Sequence, residues 1–91
     1  MTSSERAKLR GIANGLEPII HIGKEGITPA LLKQADDALT ARELIKGTVL
    51  KNCDYTAKEA LQMLCEQLGA EGVQAIGRRF TLYRPKPEEA L

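Results

Sequence analysis

Apolar residues along this chain recur first at helical spacing, then in short runs, and keep alternating between the two, which sets out seven elements. Leu9, Ile12, Ala13 and Leu16 share one helical face. Thr2 and Glu5 precede them at capping-box spacing, so a first helix is predicted to start near Thr2 to Ser4 and to stop at Gly15. Glu17-Pro18 turns the chain into Ile19-Ile20-His21-Ile22, a short strand, which Gly23-Lys24-Glu25-Gly26 breaks. Thr28-Pro29 then supplies an N-cap and a first-turn proline, opening a second helix over about Thr28 to Ala41 that would bury Leu31, Leu32, Ala35 and Leu39. A second strand is predicted over Glu43 to Lys51, with Leu44, Ile45, Val49 and Leu50 as its apolar members. Gly47 inside it points to a bulge or to close packing. Asn52-Cys53-Asp54 reads as turn and cap before a third helix, which would bury Ala57, Ala60, Leu61, Leu64, Cys65 and Leu68 and stop at Gly69. Val73 to Ile76 and Arg79 to Arg84 form a hairpin about Gly77-Arg78. In its last strand Phe80 and Leu82 share one face, and Arg79, Thr81 and Tyr83 the other.

The order αβαβαββ predicts an α/β sandwich of two layers with a four-stranded mixed sheet. Pairing should be parallel across the strand–helix–strand connection and antiparallel across the hairpin. The 91 residues suit one domain with a core over about residues 3–86 and a loose tail at 87–91. A chain this short can hold a core but has little room for a deep substrate cleft. No apolar run approaches the roughly 18 residues of a membrane helix, and the polar start Met1 to Arg6 lacks a signal-peptide core. Cys53 and Cys65 match neither a metal-ligand spacing nor a disulfide framework, so a reducing, cytoplasmic setting is expected.

The formal net charge of +1 conceals an uneven distribution. Arg6, Lys8, Arg10, Lys24 and Lys33 outweigh Glu5, Glu17 and Glu25 in the first third. The middle is acidic. Residues 72–86 carry Arg78, Arg79, Arg84 and Lys86 with no acid. If the basic ends meet in space they form one face able to follow phosphates; otherwise they are scattered solvating groups. Only Tyr55, Phe80 and Tyr83 are aromatic, which argues against binding by stacking many bases on rings.

One local feature suggests a mechanism. In Gly23-Lys24-Glu25-Gly26 the glycines allow positive φ and close approach to a partner. The loop leads into a helix N-terminus, where unpaired amides and the dipole favour an anion such as an RNA phosphate. Lys24 adds a full charge, while Glu25 has to point away. A GxxG alone is a weak signal, and neither GxxxxGK[ST] nor a GxGxxG after a strand is present, so triphosphate binding is not expected. His21 is the only histidine, Asp36 and Asp37 are adjacent and face different ways on a helix, and Ser3 and Ser4 read as capping residues. Nothing assembles a nucleophile, base and oxyanion site. The chain is therefore expected to be no enzyme and to hold no metal, cofactor or small-molecule substrate.

Several stretches together resemble a known family. They are Leu9-Arg10-Gly11, Leu16 with Pro18, Ile22 to Thr28, Glu43-Leu44-Ile45-Lys46, and Ile76 to Arg84. Over roughly residues 3–86 the chain resembles the CRM domain (chloroplast RNA splicing and ribosome maturation), in its bacterial stand-alone, YhbY-like form. The resemblance implies a fold similar to the C-terminal domain of translation initiation factor three, RNA binding, and association with precursors of the large ribosomal subunit; a monomer is expected. The family's GxxG loop, compared with that of KH domains, maps onto Gly23, Lys24, Glu25 and Gly26, followed by Thr28. Its basic surface maps onto Lys24 and onto Lys8, Arg10, Lys33, Lys46 and Arg84, with Arg78 and Arg79 as further RNA contacts. Two departures stand out: an acid, Glu25, inside the loop, and Gly47 where a β-branched strand residue is expected. The alternative is a protein-interaction module that docks on a ribosomal protein or an assembly GTPase with incidental RNA contact.

Overall fold

A computed structural model describes residues 1–86, so the expected tail at 87–91 lies outside the described residues. The elements are α1 (Ser3–Ala13), β1 (Ile20–Ile22), α2 (Pro29–Arg42), β2 (Leu44–Val49), α3 (Ala57–Leu68), β3 (Glu71–Ile76) and β4 (Arg79–Tyr83). The strands lie in the order β1-β2-β4-β3. β1 pairs parallel with β2 and the other neighbours are antiparallel, so the predicted α/β class with three helices and a mixed four-stranded sheet holds. The parallel pair follows from α2, which carries the chain back along the sheet between β1 and β2.

Caps placed in the sequence account for the helix boundaries. Thr2 accepts from Glu5 N at 3.1 Å, Thr28 accepts from Leu31 N at 3.1 Å, and Gly69 ends α3 at φ 62°. At α3 the expected cap is corrected: Asn52-Cys53-Asp54 forms the preceding turn, and Thr56 is the N-cap. Thr56 Oγ1 accepts from Glu59 N while Thr56 N donates to Glu59 Oε1, a complete capping box. Thr56→Ala is therefore expected to cost about 1 kcal/mol in a denaturant titration. The hydrogen bonds from Thr56 hold the Glu59 carboxyl below its usual value. A depressed carboxylate contributes stability above its unfolded value and loses it as pH falls through the native one. That contribution should accordingly fade in acid. Most of the fading should survive in Thr56→Ala, which keeps the backbone N–H that holds the carboxylate, and vanish in Glu59→Gln.

The two sheet faces carry different loads. Ile45, Val49, Phe80 and Leu82 join Ile20 and Ile22 of β1 in the main core, with Ala35 and Leu39 of α2 and Ala57, Ala60 and Leu64 of α3. Each large side chain fully buried there contributes roughly 1.5–3 kcal/mol. The reverse face is covered by α1 in a smaller cluster of Ala13, Leu44 and Val73, flanked by Leu9, Leu16 and Tyr83. The sheet therefore lies between helices on both sides, and the expected two layers become three. The α1 stripe read from the sequence is thus only partly used: Ile12 is 52% exposed. Thr81 and Lys46, paired across β4 and β2, are buried under the same helix.

The choice offered by Gly47 is settled as close packing. Gly47 lies opposite Phe80, whose ring covers the place a Cβ would occupy. Where α2 passes into β2, Glu43 takes φ 66°, uncommon for a residue with a side chain. Arg84 N donates to its carbonyl at 2.8 Å and Lys86 N to its carboxylate at 2.9 Å, so the segment after β4 holds the joint.

Candidate nucleic-acid interface

The strand directions bring three loops to one end of the sheet. Parallel pairing sets Ile22 beside Val49, and Leu50 N donates to Ile22 O at 2.8 Å, so the Gly23–Gly26 loop lies next to the segment leaving β2. Antiparallel pairing sets Thr48 beside Arg79, and Val49 N donates to Arg78 O at 2.8 Å, which adds the β3–β4 turn. That turn has positive φ at Gly77 alone, as a two-residue type II′ turn requires. Lys24, Lys51, Arg78 and Arg79 are therefore grouped at one end of the sheet, all exposed and without an ion pair among the described residues. Four cations stand against two carboxylates, Glu25 and Asp54, in these loops.

Within the GxxG loop the two glycines have different duties. Gly26 N donates to Gly23 O at 3.0 Å and closes a turn, and Gly26 adopts φ 70°. A Cβ at Gly26 would also lie 2.9 Å from Tyr55 Cε2, so backbone conformation and packing both demand glycine. At Gly23 a Cβ would meet Leu50 and Asn52 only at ordinary contact distance, 3.6 and 3.7 Å. The amides of Lys24 and Glu25 make no hydrogen bond among the described residues. Two successive unpaired N–H groups beside a lysine can donate to phosphate oxygens.

The helix N-terminus offers less than the sequence suggested. Pro29 at the first position has no N–H, and Leu31 N is taken by Thr28 Oγ1. Thr28 is thus committed to its cap as an acceptor, with its own O–H left to donate. The loop amides, rather than the first turn of α2, supply the donors.

Of the basic residues read from the sequence, Lys24, Arg78 and Arg79 come together. Lys8 and Arg10 are exposed on α1, which packs over Leu44, Val73 and Tyr83. Leu44 and Tyr83 are the register pair at the opposite end of β2 and β4. The N-terminal and C-terminal basic segments therefore do not merge at the loop. Lys33 is exposed on α2 and pairs with Asp37 at 3.3 Å, an i,i+4 contact of about 0.3–0.5 kcal/mol that a phosphate can replace.

Two expected contacts need correction. Lys46 is only 8% exposed, and its Nζ donates to Ala13 O at 3.1 Å, where a cation satisfies the carbonyl end of α1. Arg84 donates from Nη1 to Asp36 Oδ1 at 2.7 Å and Leu68 O at 2.9 Å, and from Nη2 to Asp36 O and Thr40 Oγ1 at 3.0 Å. It ties α2 to the end of α3, with Asp36 as its carboxylate partner. Both cations are consumed by the fold.

Sequence reasoning missed Lys51, which was assigned to a strand. The signal that finds it is parallel pairing, which puts the residues after β2 beside those after β1. Elsewhere, Cys65 has its thiol pushed up by burial, and then by Glu71 and Glu66, which suits core filling rather than a nucleophile. His21 is exposed on the edge strand β1.

Known proteins resemble the chain over nearly its whole length. The model of the CRS1 / YhbY (CRM) domain matches residues 1–84. The chain is 36% identical to a Bacillus subtilis protein named "Probable RNA-binding protein YqeI", over 97% of this chain and 92% of the relative. It is 31% identical to a Haemophilus influenzae protein named "RNA-binding protein", over all of this chain and 92% of that one. Among solved structures, that of SAV1595 from Staphylococcus aureus superposes with a TM-score of 0.72 at 37% identity, covering 99% of this chain and 94% of the other.

Proposed function

The chain belongs to the CRS1/YhbY (CRM) domain family, and on that premise we propose that it binds structured RNA through backbone phosphates at the loop end of its sheet. The observation that carries this reading is the convergence of Lys24, Lys51, Arg78 and Arg79 on the two unpartnered amides of the GxxG loop. Charge and backbone donors grip phosphate without reading bases, which suits recognition of RNA by shape. The biological setting we assign is assembly of the large ribosomal subunit in the cytoplasm, with the protein acting as a monomer that carries out no catalysis and needs no cofactor. The two free cysteines fit a reducing compartment.

The test is binding of the protein to large-subunit ribosomal RNA fragments, and to unrelated RNA of equal length, across a salt series. Four phosphate contacts should give a slope of log affinity on log salt of about −3, since each contact adds roughly −0.7 to −0.9. Tighter binding to the ribosomal fragments would support the assembly role. No affinity for any RNA at low salt would sink the reading. A protein partner would then take its place, and one observation would favour it: half-exposed Ile12 borders a hollow of about 460 Å³ lined by Leu16, Ile19 and Leu44.

A further inference from the structure

The loop end also contains a hollow that phosphate binding does not use. It lies between the segment leaving β2 and the Gly77-Arg78 turn and measures about 240 Å³. Val49, Leu50, Cys53 and Tyr55 wall it, and Lys51 and Arg78 stand at it with them. It is joined to the GxxG loop on two sides. The backbone of Gly23 faces Leu50, and the Tyr55 ring packs against Gly26. Leu50 is 44% exposed here, beside a lysine, so its side chain is open to a ligand.

We infer that this hollow receives one unpaired nucleobase of the bound RNA, so that the preferred ligand is a single-stranded or looped segment rather than uninterrupted duplex. The inference rests on the RNA reading above and narrows it. The volume lies below the roughly 300–1,000 Å³ of clefts for drug-sized ligands, so a single planar ring fits and a nucleotide cofactor does not. Val49, Leu50, Cys53 and Tyr55 offer apolar surface to the face of a base, and the polar part of the lining, Thr56 included, can meet its edges. The two cations, Lys51 and Arg78, meet the phosphates on either side of that base. A base inside a duplex reaches the hollow only by leaving its stack, which makes a base that is already unpaired the better ligand. The shortage of aromatic residues is no obstacle, because a single base needs only Tyr55 and aliphatic walls.

The experiment compares three RNAs of about eight nucleotides, near the footprint of small single-strand binders, by fluorescence anisotropy. One is intact and single-stranded, one has every base removed from the ribose-phosphate chain, and one has a single central base restored. The number of phosphates is the same in all three. The intact RNA should bind about fivefold or more tighter than the abasic chain, the low end of what one base contact contributes, and the single base should recover most of that gain. Leu50→Ala, at a half-exposed position, and Cys53→Met, which fills the hollow, should erase the advantage while leaving abasic binding and its salt slope unchanged. Equal affinity for intact and abasic chains would overturn the inference and leave the phosphate reading standing. So would an advantage that survives in both variants, since the base would then be read elsewhere. Failure to bind any of the three RNAs would remove both.

Discussion

Gly47→Val is expected to destabilise the protein by about 3 kcal/mol or more, a loss read from a urea or thermal unfolding curve. The usual effect of replacing a glycine inside a strand has the opposite sign, because a side chain restricts the unfolded chain and improves strand propensity by roughly 0.5–1 kcal/mol. Packing decides the sign here. A Cβ at Gly47 would lie 2.6 Å from Phe80 Cε2, closer still to Cζ, and 3.0 Å from Cε1. Phe80 is 1% exposed, inside the main core, and has no open space into which to swing. Even Gly47→Ala should therefore destabilise. The pairwise origin can be checked with a double-mutant cycle: in a Phe80→Leu background the same alanine should cost clearly less. An equal cost in both backgrounds would mean that the backbone, and not the ring, requires glycine at this position.

The second large effect concerns RNA. Reversing Lys24, Lys51 and Arg78 together to glutamate is expected to lower affinity on the order of 100-fold near 0.1 M salt and to flatten the salt slope by roughly two to three units. All three side chains are exposed and bear no part of the core, so circular dichroism and the melting curve should change little. The control is Lys8→Glu with Arg10→Glu, two charge reversals on α1 against three in the loop set. Since α1 covers the other end of the strands, this pair should cost less than about tenfold, as long-range screening allows. Equal losses from the two sets would place the RNA across α1 as well and would extend the interface around the sheet. A control loss larger than the loop loss would move the interface away from GxxG altogether.

Both expectations separate what can be read along the chain from what cannot. Helices, strands and most caps were legible because each depends on residues within a few positions of one another. Thr28-Pro29 opens α2 and Gly69 closes α3 as their chemistry requires. The αβαβαββ order and the sheet class followed from the alternation of periods, and the GxxG loop from its glycines. Even Thr56 and Glu59 had capping-box spacing in view, although the turn residues before them drew the cap too early.

The fate of the long cations was not legible, because it depends on partners far away in sequence. Lys46 is charged and sits in a strand, and nothing near it shows that the α1 carbonyl end will lie over it, 33 residues away. Arg84 follows a basic hairpin and reads as part of a positive face until Asp36 and Thr40, more than forty residues earlier, enclose it. Lys51 moved the other way, from an unremarked strand end into the site, because parallel pairing is a relation between segments. Local sequence specifies dihedral preferences and hydrophobic periods, which act over one or two turns. Which lysine or arginine remains free for a phosphate is decided by strand order and by the orphaned carbonyls that folding has to satisfy, and both exist only once the chain has closed on itself.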